Sequence, residues 1–451
     1  MPYIAVVGSG PSGVYTAQGL VQQTVVPDVR VDVLDRLPCP YGLVRYGVAP
    51  DHEKIKSLQG TLRTVLQDER VRFLGGVEVG PALPPAKLLE LYDAVVYCVG
   101  AAADRRLGIP GEDLPGSCSA TDFVAWYSAH PDARDDGFVR GVRTAVAIGV
   151  GNVAVDVVRI LARGADELAP TDMPQAALGA LAASEVRDVY MVGRRGPSQA
   201  RFTTKELREL GGLAGAEIVV DEAELALDPG YRDPAALPGA VRRNVEVLRD
   251  WAGAPRRGAA RRIRPRFFLR PAEIIEGADG RVAGVRFERT RPDGLGGVRG
   301  TGTFEVIEAE LVLRSVGYRG VALEGLPFDA ARGTVPQAAG RVLRDGRVSP
   351  GEYVAGWIKR GPTGVIGTNR PCAKETVASL AADLSAPTAP ERIARDPLAG
   401  LLGAGLHPVE WSGWQSIERA EAALGHSLGR NSVKIPDWDG LLSAARAVQE
   451  V

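Results

Sequence analysis

The sequence predicts an α/β fold of two doubly wound units with mostly parallel sheets, the second inserted into the first. A glycine-rich turn, Gly8 to Gly13, joins the strand-like run Tyr3 to Val7 to an apolar helical run. The same order of strand, glycine-rich turn and helix recurs between residues 144 and 162. Each unit also closes with a similar apolar strand that ends in glycine, at residues 92–100 and 309–317.

Length and charge narrow the class of protein. At 451 residues the chain exceeds one ordinary core, and about 150 residues per domain suggests two or three units. Lys plus Arg (54) nearly balances Asp plus Glu (55), so we expect no nucleic-acid or membrane partner. No apolar run is long enough for a membrane span, and the N-terminus enters a core strand without room for a signal peptide, so we expect a cytoplasmic protein.

The cysteines and histidines give no metal-binding pattern. The chain has four of each, all far apart in sequence, and the cysteines form no C-x-x-C pair. Cys98 lies in an apolar strand, and we interpret it as an inert buried thiol. We therefore predict no metal site.

The first glycine turn has the pattern of a dinucleotide site. Gly8 permits the tight turn, Gly10 lets the backbone approach a pyrophosphate, and Gly13 lets the helix pack on the strand. The next strand, Val29 to Leu34, ends in Asp35, whose carboxylate is placed to accept a ribose hydroxyl. We therefore predict a Rossmann-like unit.

A proline- and glycine-rich stretch, residues 36–52, follows this strand. It is too irregular for a helix or strand and yet apolar, so we expect it to wrap a cofactor. A helix from Glu53 to Gln67 and strands Val71 to Val79 and Tyr92 to Val99 come next. Gly100 ends the last strand, where a small residue lets a dinucleotide pass close by.

The second turn reads Gly149-x-Gly151-x-x-Ala154, and its next strand, Asp188 to Val192, ends in Arg194 and Arg195 instead of an acid. Two guanidinium groups would bind a 2'-phosphate that an acid would repel, so the second nucleotide should be NADP(H). Residues 166–186 form an insertion of helix and loop in this unit. The alternative is that the two arginines only solvate a turn.

Two further stretches of this unit carry charge. Thr203 or Thr204 can cap a helix that carries Glu206 and Glu209, although glutamates on a helix are usually solvated. Ten arginines fall within residues 242–270. We interpret this stretch as a docking surface for an acidic protein, with RNA binding or an ordinary basic face as alternatives.

The chain then returns to the first unit. We expect a strand from Tyr353 to Trp357, a glycine-rich loop to Asn369 and a helix from Lys374 to Leu384. The tail should contain helices Gln415 to Leu424 and Leu441 to Val448. The predicted domains are 1–105 with 320–451, discontinuous and ending in a helical tail, and 106–319.

Four long motifs closely resemble those of adrenodoxin-reductase-type ferredoxin-NADP reductases. The resemblance covers residues 1 to about 385 and, more loosely, the tail. The motifs are Tyr41 to His52, Gly149 to Val157, Gly193 to Pro197 and Gly356 to Asn369.

The resemblance implies a FAD-binding first domain and an NADP-binding second domain. It assigns these residues to FAD: Ser12, Asp35 (usually Glu in the family), Leu43, Val79, Trp357, Gly364, Val365 and Ile366. It assigns these to NADP(H): Arg105, Val150, Gly151, Asn152, Val153, Arg194, Arg195, Glu206 and Gly364. His52 and Glu209 resemble the family's polar pair beside the nicotinamide, and we expect them to position the carboxamide or relay a proton.

The implied reaction is hydride transfer from NADPH to FAD, followed by single-electron transfer to a ferredoxin that docks near Arg242, Arg243 and Arg249. The missing cysteine pair argues against a disulfide reductase, and missing cysteine-rich motifs argue against a glutamate-synthase small subunit. A diaphorase that reduces small acceptors and a non-enzymatic binding module stay open. The acceptor beyond the ferredoxin, a cytochrome P450 or another oxygenase, is also open.

Overall fold

The structure, a computed structural model, describes residues 1–134, 137–386 and 396–447. It divides into two compact units. Unit 1 comprises Met1–Ala103 and Tyr318–Val451, and unit 2 comprises Asp104–Gly317. The chain thus crosses between units at 103/104 and 317/318, against the expected 105/106 and 319/320.

The strands of the described residues are, in chain order, β1 (Tyr3–Val7), β2 (Arg30–Asp35), β3 (Val71–Gly75), β4 (Ala94–Tyr97), β5 (Ala103–Asp104), β6 (Ser117–Ser119), β7 (Thr144–Ile148), β8 (Asp188–Val192), β9 (Ala216–Ile218), β10 (Arg261–Arg266), β11 (Leu269–Glu276), β12 (Val282–Pro292), β13 (Val298–Glu308), β14 (Leu311–Arg314), β15 (Tyr318–Arg319), β16 (Gln337–Ala338), β17 (Arg341–Arg344) and β18 (Arg347–Val354).

The α-helices of the same residues are α1 (Pro11–Gln22), α2 (Leu43–Tyr46), α3 (Glu53–Lys56), α4 (Leu58–Leu66), α5 (Pro85–Leu91), α6 (Ala120–Tyr127), α7 (Asn152–Ala162), α8 (Ala165–Leu168), α9 (Gln175–Ala182), α10 (Thr204–Gly211), α11 (Glu222–Leu225), α12 (Pro229–Arg232), α13 (Gly239–Ala252), α14 (Trp357–Arg360), α15 (Asn369–Ser385), α16 (Pro397–Gly403), α17 (Trp411–Ser427) and α18 (Trp438–Arg446). None of them is long and apolar enough to cross a membrane.

Unit 1 is organised around one sheet with the order β16-β17-β18-β4-β1-β2-β3 in the described residues. The pairings from β18 to β3 are parallel. Val6 of β1 lies opposite Val33 and Val96, and all three side chains are buried. A separate apolar cluster covers each face of the sheet. Strands covered on both faces form continuous apolar runs, which explains why the sequence predicts them.

Unit 2 contains a parallel sheet with the order β6-β14-β7-β8-β10-β9 in the part of the chain described. An antiparallel sheet, β11-β12-β13, accompanies it. Val146 and Ile148 of β7 share a core cluster with Val285 and Phe287 of β12. The α/β fold with two doubly wound units is therefore confirmed. Residues 166–186 supply the extra helix and loop, and they contain α9 and most of α8.

Several local predictions need correction. The helix expected from Glu53 to Gln67 is two helices that meet at Ser57. The strand expected from Tyr353 to Trp357 ends at Val354, and Trp357 begins α14 because Gly356 turns the chain with a φ of +80°. The loop of residues 36–52 contains the single-turn helix α2.

The tail contains the two predicted helices, both longer at their N-terminal ends, and α16 in addition. Val448, the predicted end of the last helix, lies outside the described residues. Trp414 of α17 and Leu441 of α18 are buried in the same cluster as the strands of unit 1. The tail is therefore part of the core of unit 1.

Candidate cofactor and coenzyme sites

The first glycine turn needs its glycines for two different reasons. Gly8 has a φ of +109°, and a Cβ there would lie 2.6 Å from the carbonyl oxygen of Cys98. A Cβ on Gly13 would lie 1.8 Å from the oxygen of Gly8. A Cβ on Gly10 would meet only the Cα of Gly42, at 3.9 Å. The fold thus requires the first and third glycines, whereas the second leaves its space open for a ligand.

The helix after this turn begins without a side-chain cap. Gly10 is the N-cap of α1, whereas α6 is capped by Ser119 and α10 by Thr203. Ser12 Oγ is buried, and within the described residues it has no hydrogen-bond partner, with only the weakly accepting sulfur of Cys98 beside it. Open N–H groups and an unsatisfied hydroxyl fit a pyrophosphate at this helix terminus.

Asp35 stands at the end of β2 and holds the turn. The N–H and hydroxyl of Ser9 donate to Asp35 Oδ2 at 2.7 and 2.5 Å, and the N–H of Leu37 donates to Oδ1 at 2.9 Å. Burial raises the pKa of the Asp35 carboxyl despite these bonds. Since a carboxylate accepts about four hydrogen bonds, about one position is left for a ribose hydroxyl.

The stretch of residues 36–52, here called the wrapping loop, packs against the glycine turn. The N–H of Tyr41 donates to Ser9 O at 3.1 Å, and the next helical turn leaves Leu43 39% exposed. His52 is buried at the end of the loop, where its N–H donates to Ala49 O at 3.0 Å. The loop that follows β2 is thus held against the glycine turn of residues 8–13. Val79, which the resemblance also assigns to FAD, is buried in the segment that follows β3.

Arg45 of the wrapping loop forms a buried ion pair that sequence reasoning missed. Its guanidinium donates to both oxygens of Glu421 in α17, at 3.1 and 2.5 Å, and both side chains are at most 5% exposed. The rings of Tyr46 and Trp414 lie 4.9 and 5.0 Å from it. Burial alone would lower the pKa of Arg45, but the Glu421 carboxylate raises it well above its usual value. The tail therefore fastens the wrapping loop.

The end of β18 approaches the first turn. A Cβ on Gly356 would lie 2.4 Å from Ser12 Oγ, so this glycine is required for the close approach. Trp357 Nε1 is buried with no hydrogen-bond partner in the described part of the chain. Gly100, at the end of the neighbouring β4 segment, has a φ of +75° with open space where its Cβ would be. Ser12, Gly100 and Trp357 thus gather at the carboxyl edge of the sheet, where doubly wound folds bind ligands.

The glycine-rich loop after α14 turns sharply at Gly364. Gly364 has a φ of +81°, and its Cβ would lie 2.3 Å from Thr368 Oγ1, so the loop itself already requires glycine. Val365 is 64% exposed and Ile366 is half-buried. Both precede α15, whose N-terminus has no side-chain cap.

The second glycine turn, like the first, has one glycine that the fold requires and one that leaves open space. Gly149 has a φ of +142°, and its Cβ would lie 2.1 Å from the oxygen of Ser315 at the end of β14. A Cβ on Gly151 would meet nothing within 4 Å. Helix α7 begins at Asn152 without a side-chain cap, and Val150 and Val153 beside it are half-buried. This turn can also hold a phosphate.

The arginine pair lies beside this second turn. A Cβ on Gly193, the residue before Arg194, would lie 3.0 Å from Val150 Cγ1. Burial, followed by the charges of Arg194 and Arg201, lowers the pKa of the Arg195 guanidinium. Arg105 lies at the start of unit 2, where its N–H donates to Gly317 O at 2.9 Å.

Helix α10 brings its two glutamates to different environments. The N–H of its cap, Thr203, donates to Asn152 Oδ1 at 2.8 Å, which places the starts of α10 and α7 together. Glu206 is buried, and its Oε2 has no partner among the described residues. Glu209 lies 3.5 Å from the buried Arg159. Glu206 is therefore shielded from solvent, whereas Glu209 stays 31% exposed beside its partner.

Part of the basic stretch of residues 242–270 pairs with carboxylates inside unit 2. Arg262 and Arg264 pair with Asp188. Arg266 pairs with Glu224 and Glu305, and Arg270 pairs with Glu288. Arg249 donates to the carbonyl oxygens of Tyr231 and Arg232 and covers the Tyr231 ring at 5.0 Å. Arg242 and Arg243 are exposed on α13, with Glu246 3.9 Å from Arg242.

The chain is similar to known enzymes over its whole length. It is 46% identical over 456 residues to "NADPH-ferredoxin reductase FprA" of Mycobacterium tuberculosis, covering 98% of each chain. It is 40% identical over 468 residues to the mitochondrial "NADPH:adrenodoxin oxidoreductase" of Arabidopsis thaliana, covering 98% of this chain and 95% of that one.

Solved structures agree. The structure of M. tuberculosis FprA in complex with NADPH matches with a TM-score of 0.92 and 44% identity, covering 98% of this chain and 99% of that one. No family model matches the chain. With relatives of this identity and coverage, the chain belongs to the family of NADPH-ferredoxin reductases that includes FprA and NADPH:adrenodoxin oxidoreductase.

Proposed function

We propose that this chain is a FAD-containing NADPH-ferredoxin reductase with FAD in unit 1 and NADP(H) in unit 2. The observation that carries the proposal is that each unit has a glycine turn followed by a helix whose N-terminus has no side-chain cap. The chain is also similar to FprA over its full length. Bound FAD supplies a group that accepts two electrons as a hydride and releases them singly. We propose the cytoplasm as its location, because reducing compartments preserve free thiols such as the four cysteines here.

Unit 1 offers a polar cradle for FAD. We assign the pyrophosphate to the open N–H groups of α1 with Ser12, and the ribose to Asp35. Trp357 Nε1 supplies a buried donor without a protein partner in the described residues. We assign the region of Leu43, Val79 and Gly100 to the remaining walls, and the N–H groups of Val365 and Ile366 to the reduced ring, where they would stabilise negative charge.

Unit 2 offers a separate cradle for NADP(H). The open space at Gly151 and the start of α7 would receive the pyrophosphate between Val150 and Val153. Arg194 and Arg195 would bind the 2'-phosphate through charge-assisted hydrogen bonds. We propose Asn152, Glu206 and Arg105 as further nucleotide contacts. Glu206 Oε2 is buried without a hydrogen-bond partner among the described residues. Asn152 Oδ1 already accepts a hydrogen bond from the N–H of Thr203. Gly364, which belongs to unit 1, is the remaining residue that the resemblance assigns to NADP(H).

We propose His52 and Glu209 as residues that position the nicotinamide or relay a proton. Glu209 also has a structural partner in Arg159, so His52 gives the cleaner test. His52→Gln should keep normal FAD content and slow flavin reduction by NADPH in stopped-flow mixing, with a changed pH profile. Loss of flavin with an intact hydride step would instead make His52 a residue that only packs the wrapping loop.

The proposed dock for an acidic ferredoxin centres on Arg242 and Arg243. Arg249, the third predicted residue, has local structural contacts, so its removal would disturb α13 itself. Reversing the charge of Arg242 and Arg243 should slow ferredoxin reduction and flatten its salt dependence, because such charges act through steering. Charge reversal at Arg208, also exposed but on α10, is the matched control. Unchanged kinetics in the double variant would move the dock elsewhere.

The overall function is tested by reduction of a ferredoxin by NADPH with the purified yellow protein. Reduction of ferredoxin that requires NADPH and slows as salt rises would support the proposal, with ferricyanide reduction as the measure of flavin chemistry that needs no dock. Reduction of ferricyanide alone would favour the diaphorase alternative, and a protein without flavin absorbance would favour a binding module. Adding a cytochrome P450 to the reduced ferredoxin tests our proposal that an oxygenase of this kind receives the electrons.

A further inference from the structure

A third arginine lies beside the predicted pair at the second glycine turn. After Arg195 the chain makes a single-turn 3-10 helix, Pro197–Gln199. This helix folds the chain back, so that the N–H of Arg201 donates to Val150 O at 2.8 Å. Val150 is the middle residue of Gly149-Val150-Gly151. The backbone of Arg201 is therefore fastened directly to the turn that should receive a phosphate.

The connection between the pair and Arg201 is held in place on both sides. The N–H of Gly196 donates to Gln199 Oε1 at 3.0 Å. The N–H and hydroxyl of Ser198 donate to the buried carboxylate of Asp228, at 2.7 and 3.0 Å. Asp228 also accepts from the N–H of Gly230 at 2.9 Å. The carboxylate that anchors this segment is thus occupied by backbone and hydroxyl donors.

The three guanidinium groups share the lack of a carboxylate partner among the described residues. No ion pair to a carboxylate is found for Arg194, Arg195 or Arg201 among the described residues, whereas Arg262 and Arg264 both pair with Asp188. Arg194 and Arg201 are exposed, and Arg195 is half-buried. Three neighbouring cations without a carboxylate repel one another in the absence of an anion.

The lowered pKa of Arg195 agrees with this arrangement, since after burial the charges of Arg194 and Arg201 are its causes. A dianion placed among the three groups would turn the repulsion into attraction. Guanidinium groups bind phosphate through paired N–H donors, and each added group raises both affinity and geometric selectivity.

We propose that Arg201 is a third ligand of the coenzyme 2'-phosphate, so that the preference for NADP(H) over NAD(H) rests on three guanidinium groups. The inference rests on the proposed function, because it takes the second turn as the NADP(H) site. It adds a specificity-determining residue that lies six positions beyond Arg195, outside the arginine pair that the strand end predicts.

The test measures ligand binding to the FAD-loaded protein by isothermal titration calorimetry. Two probes are used: adenosine 2',5'-bisphosphate, which carries the 2'-phosphate, and 5'-AMP, which lacks it. Arg201→Gln should bind the bisphosphate about tenfold more weakly and 5'-AMP as well as the wild type does, because one charge-assisted contact is lost. Arg201→Lys should recover part of the affinity. Arg208→Gln, which removes an exposed charge on α10, should change neither affinity.

Each other result has a defined meaning. If Arg194→Gln weakens bisphosphate binding and Arg201→Gln does not, the third ligand is refuted and the proposed function stands. If Arg201→Gln weakens both probes equally, Arg201 acts on the turn and not on the 2'-phosphate, which also refutes the inference. If the wild type binds both probes equally, the assignment of NADP(H) to unit 2 fails.

Discussion

The ion pair between Arg45 and Glu421 allows a quantitative prediction about the stability of unit 1. In Glu421→Gln the guanidinium keeps one amide oxygen as acceptor but loses its counter-charge in a site at most 5% exposed. Removing one partner of a buried pair costs about 3 to 5 kcal/mol. The two flanking rings stabilise the stranded cation by about 0.5 to 2 kcal/mol. We therefore expect the free energy of unfolding to fall by about 3 kcal/mol.

The same helix provides the control. Glu418 pairs with Arg63 at 2.8 Å, with side chains 30% and 35% exposed, so Glu418→Gln should cost at most about 1 kcal/mol. Urea unfolding followed by circular dichroism measures both variants. Because Arg45 lies in the wrapping loop, Glu421→Gln should also release FAD faster, measured as flavin fluorescence after dilution.

A double variant separates charge from packing. Arg45→Met with Glu421→Leu removes both charges and keeps apolar volume, and it should recover most of the lost stability, because the stranded charge is gone. If Glu421→Gln costs no more than Glu418→Gln, the electrostatic reasoning is wrong. If the double variant is less stable than Glu421→Gln, the site depends on its hydrogen bonds more than on its charge balance.

Two further predictions concern the glycine turns and the thiols. Gly149→Ala should reduce the yield of soluble folded protein, because the Cβ would lie 2.1 Å from a backbone oxygen. Gly151→Ala should fold normally and bind NADP(H) more weakly. Equal melting temperatures for the two variants would contradict the prediction that only Gly149 is required by the fold. Cys39 should resist alkylation at about pH 8, because it is buried and burial raises its pKa to about 11. The half-buried Cys118 should react first, and mass spectrometry of iodoacetamide adducts over time would show the order.

The parts of the fold that the sequence predicts are those with local causes. The strands β1 and β8 have the predicted bounds, because each is a buried apolar run ended by a glycine. The cap at Thr203 is likewise a local feature. The prediction that Trp357 ends a strand is wrong, because the positive φ of Gly356 turns the chain first. The sequence shows the glycine but not its conformation.

The parts that sequence reasoning missed depend on partners far along the chain. Arg45 and Glu421 are 376 positions apart. Each is a charged residue of a type that usually lies on the surface. The arginines of β10 looked like a basic patch, yet Arg262 and Arg264 alternate along the strand and so share one face with Asp188 of the neighbouring strand. Only the pairing of the strands reveals that both guanidinium groups already share the carboxylate of Asp188.

The nested order of the units has a consequence for how the chain folds. In unit 1, β18 pairs with β4, with Glu352 opposite Val95. Because unit 2 lies between these strands in the sequence, they can pair only after all of unit 2 has been synthesised. The two ends of unit 2 meet, since the N–H of Arg105 donates to Gly317 O. Once unit 2 has folded, it acts as a short bridge between β4 and β18, and the entropy cost of closing the sheet falls accordingly. Unit 2 should therefore fold first, and a mutation that slows its folding should delay the completion of unit 1.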